Sequence, residues 1–233
     1  RQVYRGMDLG TGKDYGDYRV GEEDVPYHLI DIAEAGEEYS VFRFQQDFSE
    51  AFERIVARDH FPVLCGGTGL YIESVLRGYR MLPVPPDPSL RTSLEAVSRG
   101  ELIGMLSEYG PLHNTTDTES KKRLIRAIEI ARHERQHGET PVELPSLDSL
   151  VVGVRYERDA RRERITMRLK QRLDEGMAEE VSRLMERGVA HEKMEYYGLE
   201  YKYLARYVSG MISYDEMFRS LNTAIHQFAK RQM

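Results

Sequence analysis

"HFPVLCGGTGLYIESVLRGY" runs from His60 to Tyr79, and its reading decides the fold. Pro62 to Cys65 is a short apolar run without polar alternation, the pattern of a strand buried on both faces of a parallel sheet. Gly66-Gly67-Thr68-Gly69 turns the chain, and Leu70 to Leu76 begins a helix that ends near Gly78. Strand, glycine turn and helix form the repeating unit of α/β folds. Upstream, "YSVFRFQQDFSEAFERIVARD" reads as a helix entered from Ser40, with Phe48, Ala51, Phe52, Ile55 and Val56 on one face. Downstream, "LPVPPDPS" (82–89) holds four prolines in eight positions and cannot continue a helix. From Asp87 to about Thr140 the pattern is helical, and Leu124, Ile125, Ile128 and Ala131 share an apolar face. "PVELPSLDS" (141–149) is a second proline-punctuated connector, and "LVVGVRY" (150–156) returns to a buried-strand pattern. Ile165, Leu169, Leu173, Met177, Val181 and Leu184 predict one long helix whose opposite face is basic. A last helix starts at Ser213, with Glu216 three residues on as in a capping box. The pattern predicts an α/β core, residues 1–82 and 146–233, interrupted by a mostly helical insertion at 83–145.

With 40% hydrophobic and 31% charged residues among 233, the chain can bury a core, which excludes wholesale disorder. No apolar run approaches the roughly 20 residues of a membrane helix, and no basic-then-apolar leader is present. The single cysteine, Cys65, excludes an internal disulfide framework. A cytoplasmic protein is expected. Because the chain starts at Arg1 and stops at Met233 inside a helical pattern, it is also expected to be part of a longer protein.

The formal net charge of −6 does not advertise a nucleic-acid binder, but its distribution is uneven. Residues 1–60 hold 14 acidic against 7 basic side chains, whereas residues 155–172 hold 8 basic against 3 acidic. Lys121, Lys122, Arg123 and Arg126 form a second basic stretch. Charge alone favours solvated helix faces.

Four constellations invite a functional reading. Gly10-Thr11-Gly12-Lys13 looks like a phosphate loop, but Asp14 follows the lysine and Met7 stands where a P-loop has its first glycine. It reads instead as a polar surface turn. Gly66-Gly67-Thr68-Gly69 lies at the carboxyl end of a strand and the start of a helix, where open α/β sheets bind ligands and where free N–H groups suit an anion. A tight turn that needs glycine explains it equally well. Arg158, Arg161, Arg162 and Arg164 follow a strand end and could clamp a diphosphate, although most of them read as a solvated face. His133 and His137 have i, i+4 spacing, yet no carboxylate or cysteine pattern joins them, so they read as surface residues and no metal site is expected.

Taken together, these stretches resemble the bacterial tRNA dimethylallyltransferases, also called tRNA isopentenyltransferases. "QVYRGMDLGTGK" (from Gln2), "VPYHLIDI" (from Val25), "YSVFRFQQD" (from Tyr39), "CGGTGLYIESVLRGY" (from Cys65), "KRLIRAIEI" (from Lys122), "ISYDEM" (from Ile212) and "FAKRQM" (from Phe228) follow that family's signatures in order. The resemblance implies a P-loop kinase-like core with a parallel sheet, and a helical insertion (83–145) that grips tRNA. It implies transfer of a dimethylallyl group from dimethylallyl diphosphate to N6 of adenosine 37, with Mg2+ assisting, by a monomeric enzyme. Gln2 corresponds to the last residue of the family's D-[SA]-x-Q, which contacts the target adenosine. Thr68 is implied near the substrates, and Gly66, Gly67 and Arg158 near the diphosphate. Arg91, Lys122, Arg123 and Arg126 are implied in tRNA contacts, as are Tyr201 and Lys202 in a loop near the tRNA. The family's P-loop and the aspartate of D-[SA]-x-Q, its presumed general base, are expected upstream of Arg1. Two departures stand out: Glu200 replaces a glycine in "LEYKY", and His226 replaces an arginine. Two rival readings are an isopentenyltransferase of free adenine nucleotides and a non-catalytic RNA-binding fragment.

Overall fold

The structure, a computed structural model, describes residues 2–110, 120–138 and 144–232. The chain divides into two compact units: Arg1–Tyr39 with Ala51–Ile55 and Leu150–Met233, and Ser40–Glu50 with Val56–Ser149.

The second unit is built from helices α1 (Val41–Val56, shared with the first unit), α2 (Gly69–Leu76), α3 (Pro88–Glu95), α4 (Arg99–Ser107) and α5 (Lys121–His137). Ser40 opens α1 as its spacing predicts, its hydroxyl accepting from Arg43 N at 3.1 Å. The Gln45 amide ties α1 to α2 by donating to Ser74 O and Tyr79 O, both at 2.9 Å, while Phe44 stacks on Tyr71 at 4.8 Å. Asp87 caps α3 through Leu90 N with Pro88 in the first turn, and Ser98 and Glu101 form a full capping box on α4. Three of these helices close a core of Leu94, Leu102, Leu106, Leu124, Ile125 and Ile128, with Ala131 packed against it. Each such buried aliphatic side chain contributes about 1.5–3 kcal/mol.

The first unit holds α6 (Arg158–Asp174), α7 (Met177–Glu186), α8 (His191–Tyr197), α9 (Leu199–Val208) and α10 (Tyr214–Arg231). The predicted single helix through Ile165 and Leu184 is in fact two. Gly176 sits at φ +99, a left-handed conformation that ends α6 and starts α7. Helix α9 is the hub, its Tyr201, Leu204 and Ala205 wholly buried against α7, α8 and α10. Residues 2–39 wrap this bundle. Tyr4 pairs with Ala33 in a parallel bridge, and its ring meets Tyr197 edge-on at 4.8 Å.

The parallel sheet is not formed among the described residues. Their strand pairing is one antiparallel ladder, β1 (Arg19–Val20) with β2 (Glu23–Asp24), besides the Tyr4–Ala33 bridge. The two predicted buried strands, 62–65 and 150–156, form no ladder and are largely exposed: Val63 is 75% accessible and Leu64 40%, and Leu150 is 90% and Val154 81%. An apolar run states that a segment favours burial, but a strand exists only where a neighbour's N–H and C=O groups complete its ladder.

Candidate functional site

Gln2 anchors the site in the first unit. Its side-chain nitrogen donates to Gly12 O at 2.9 Å and Thr11 O at 3.4 Å. Two carbonyl acceptors fix which end of the amide faces the loop, so the Gln2 Oε1 is the end left to accept a hydrogen from a ligand.

The loop that holds Gln2 is the one read as a polar surface turn, and the structure corrects that reading. The backbone N–H groups of Asp8, Leu9 and Gly10 converge at 2.8, 2.7 and 3.1 Å on the carboxylate of Glu180 in α7. The Tyr201 hydroxyl donates to the same group at 2.7 Å. Successive N–H groups of this kind form an anion-binding nest, here filled by the protein's own carboxylate. The Lys13 side chain is wholly buried and donates to Tyr4 O at 2.6 Å, to Asp8 Oδ1 at 2.9 Å and to Asp31. Burial works to raise the Asp31 carboxyl, but hydrogen bonds from Lys13 and Tyr15 outweigh it and hold it below its ordinary range. From α6, Arg172 donates to Leu9 O and pairs with Asp14, and Arg168 pairs with Asp14 as well. Lys13 is thus a buried tether, and the loop's anion is internal.

Tyr201 was expected beside tRNA. It is fully buried, with its hydroxyl on Glu180, because α9 needs an aromatic there to fill the bundle core beneath Gly10. Burial, then the charge and hydrogen bond of Glu180, push its phenol far above the ordinary range. Lys202 lies half-exposed, 3.8 Å from Glu195, which also binds Arg206. Arg158 is the first residue of α6, exposed at the positive end of the helix just after Glu157, its N-cap.

In the second unit, Gly66, Gly67 and Thr68 form an exposed turn into α2. Thr68 occupies the N-cap position but makes no capping hydrogen bond with its side chain. The expected tRNA-contacting residues divide. Lys122 and Arg123 are exposed in the first turn of α5. Arg91 and Arg126 instead meet on Glu129, whose side chain is 2% exposed. Arg91 donates to both its oxygens, Nε at 3.0 Å and Nη2 at 2.8 Å, and Arg126 donates through Nη1, with Nη2 on Val84 O at 2.8 Å. Asp87 N adds a fourth donor. Burial works to raise the Glu129 carboxyl, but these hydrogen bonds lower it to about 2.

Glu180 and Glu129 escaped the sequence reading, although each left a signal. Met177, Glu180, Val181 and Leu184 follow the i, i+3, i+4, i+7 rule, so Glu180 stands in an apolar slot of its helix. Glu129 does the same after Ile125 and Ile128. A carboxylate on the buried face of a helix must have donors waiting for it. Among the described residues no group of three or more His, Cys, Asp or Glu could hold a metal ion.

The family model for IPP transferase matches residues 2–233. The chain belongs to the IPP transferase family. A relative from Bacteroides fragilis, named tRNA dimethylallyltransferase 2, is 57% identical over 236 residues that span 100% of this chain and 76% of that protein. A crystal structure of a full-length tRNA isopentenylpyrophosphate transferase from Bacillus halodurans is 30% identical with a TM-score of 0.65, covering 99% of this chain and 74% of that one. A crystal structure of a eukaryotic dimethylallyltransferase acting on tRNA shares the fold, with a TM-score of 0.74 at 19% identity over 99% of this chain and 60% of that one.

Proposed function

We propose that this chain is the greater part of a tRNA dimethylallyltransferase, transferring a dimethylallyl group from dimethylallyl diphosphate to N6 of adenosine 37 in the anticodon loop. Family membership over residues 2–233 supports the activity, and the orientation of the Gln2 amide is the structural observation that carries the adenine-binding role. The N6 lone pair is delocalised into the purine ring and is a weak nucleophile. It attacks the first carbon of the allyl group as the carbon–oxygen bond to the diphosphate breaks, and the N6 proton passes to a base, the aspartate of the family's D-[SA]-x-Q. Gln2 Oε1 accepts one N6 hydrogen and points the lone pair at the allyl carbon. Arg158 and the amino terminus of α6 meet the charge that grows on the departing diphosphate. In the second unit, taken by itself, the exposed Gly66-Gly67 segment and the Thr68 hydroxyl are open to a phosphate group. The target base leaves the anticodon stack to reach the site, which costs least in a single-stranded loop.

Residues 83–145 form the part that holds tRNA, with Lys122 and Arg123 exposed toward phosphates and Arg91 and Arg126 presented by Glu129. The exposed apolar runs at 62–65 and 150–156 have the composition of buried strands, as a P-loop kinase-like core would use them. Magnesium travels with the diphosphate in this reading. No step here depends on a protein-held ion. No helix among the described residues is long and apolar enough to cross a membrane. Acting on tRNA, the enzyme works in the cytoplasm in this reading, as a monomer. The test is a transfer assay on the full-length protein with tRNA and AMP as competing acceptors. Product on tRNA supports the reading, product on AMP alone selects the free-nucleotide enzyme, and binding of tRNA without product selects the RNA-binding alternative.

A further inference from the structure

We infer that Glu180 is a positioning residue for the transfer reaction: by filling the nest of loop 8–10 it fixes the carbonyls that orient Gln2. This rests on the proposed role of Gln2 at the adenine. The geometry forms a continuous chain. Glu180 is 3% exposed and holds four donors, two on each oxygen: Asp8 N and Leu9 N on Oε2, Gly10 N and the Tyr201 hydroxyl on Oε1. That matches the four acceptor sites of a carboxylate. The next two residues of the loop present the carbonyls, Thr11 O and Gly12 O, that receive the Gln2 amide. The far side of the loop is tied to the same backbone, since Gly12 N and Lys13 N both donate to Asp8 O at 2.9 and 3.0 Å. A shift of the 8–10 backbone therefore carries residues 11 and 12 with it and turns the Gln2 carbonyl away from its target.

The packing shows how little play the loop has. A Cβ on Gly10 would come within 2.6–2.7 Å of the Tyr201 ring, so the backbone lies directly on the aromatic that shares Glu180. A salt bridge would hold the loop less specifically than this carboxylate does. Its donors are neutral N–H and O–H groups whose directions set a backbone conformation rather than only a distance.

The experiment is a double-mutant cycle in the full-length enzyme with single-turnover kinetics at saturating dimethylallyl diphosphate, together with tRNA affinity. Glu180→Gln replaces one acceptor oxygen by an NH2 group that faces donors. It is expected to slow transfer by about tenfold with tRNA Kd unchanged within about twofold. Gln2→Ala is expected to slow transfer comparably. Added to Gln2→Ala, Glu180→Gln should cost less than about threefold more, because the group it positions is already gone. A purely structural strut would give multiplying effects, or a loss that follows the fraction of folded protein, and either result overturns the proposal. Tyr201→Phe removes a single donor without adding a clash and serves if Glu180→Gln does not fold. It should slow transfer by about twofold to fourfold and likewise lose its effect in the Gln2→Ala background. A wild-type enzyme inactive on tRNA would refute the proposed function, whereas an active wild type with Glu180 variants of unchanged rate would refute the positioning role alone.

Discussion

Replacing Glu129 by glutamine separates geometry from charge in the helical unit. The carboxylate is 2% exposed and accepts hydrogen bonds from Arg91, Arg126 and Asp87 N. Its carboxyl stands at about 2, against an ordinary value of 4.5. That difference corresponds to about 3.4 kcal/mol favouring the folded, ionised form at neutral pH. The Arg91 and Arg126 side chains are 41% and 38% exposed, so solvent screening reduces the expected loss in Glu129→Gln to about 2–3 kcal/mol. Because the folded value is the lower one, this stability is complete above the unfolded pKa and disappears as pH falls toward 2. At pH 3 the wild-type advantage shrinks to about 1.4 kcal/mol or less. Urea unfolding of both proteins at pH 7 and pH 3, followed by circular dichroism, measures it. The same variant carries one more net positive charge, which by charge alone would tighten RNA binding. Positioning predicts the reverse: Arg91 and Arg126 lose their common anchor, and tRNA affinity falls by about tenfold. A variant as stable as wild type at pH 7, or one that binds tRNA more tightly, would refute the reasoning.

Other substitutions probe the remaining parts. Arg123→Ala should weaken tRNA binding and reduce the slope of log affinity against log salt by about 0.7–0.9, measured by filter binding over a salt series. Arg158→Ala should lower the single-turnover rate by about 100-fold with little change in tRNA affinity, as expected of a cation that meets the leaving group. Gly10→Ala should cost about 1–3 kcal/mol in unfolding experiments, since its Cβ would collide with the Tyr201 ring.

Local chemistry made much of this molecule legible in its sequence. Ser40 and Ser213 open the helices their spacing predicts, and the prolines of 82–89 lead into α3 as a break. The apolar face of Leu124, Ile125 and Ile128 is the core of the helical unit. What escaped depends on residues far apart in the chain. Nothing near Gly10-Thr11-Gly12-Lys13 announces that a carboxylate 170 positions later will fill its nest, so a loop with buried Lys13 read as a polar turn. The runs at 62–65 and 150–156 read as strands from composition, but composition carries no information about the partner that completes a ladder. Gly176 breaks a helix whose apolar stripe continues on both sides, because the stripe reports the buried face and not the continuity of the backbone. In the candidate site, Gln2 and Arg158 entered through the family resemblance, whereas Glu180 and Glu129 needed the observation that each acid sits in an apolar slot.

The most direct measurement is the position of the modified base. Full-length protein is incubated with dimethylallyl diphosphate and a tRNA bearing adenosine at position 37, and with the same tRNA carrying guanosine there. Nuclease fragments are then weighed by mass spectrometry. The account predicts one added isopentenyl unit on the fragment containing adenosine 37 and none on the guanosine variant. An unmodified adenosine 37, or equal modification of both tRNAs, would contradict it.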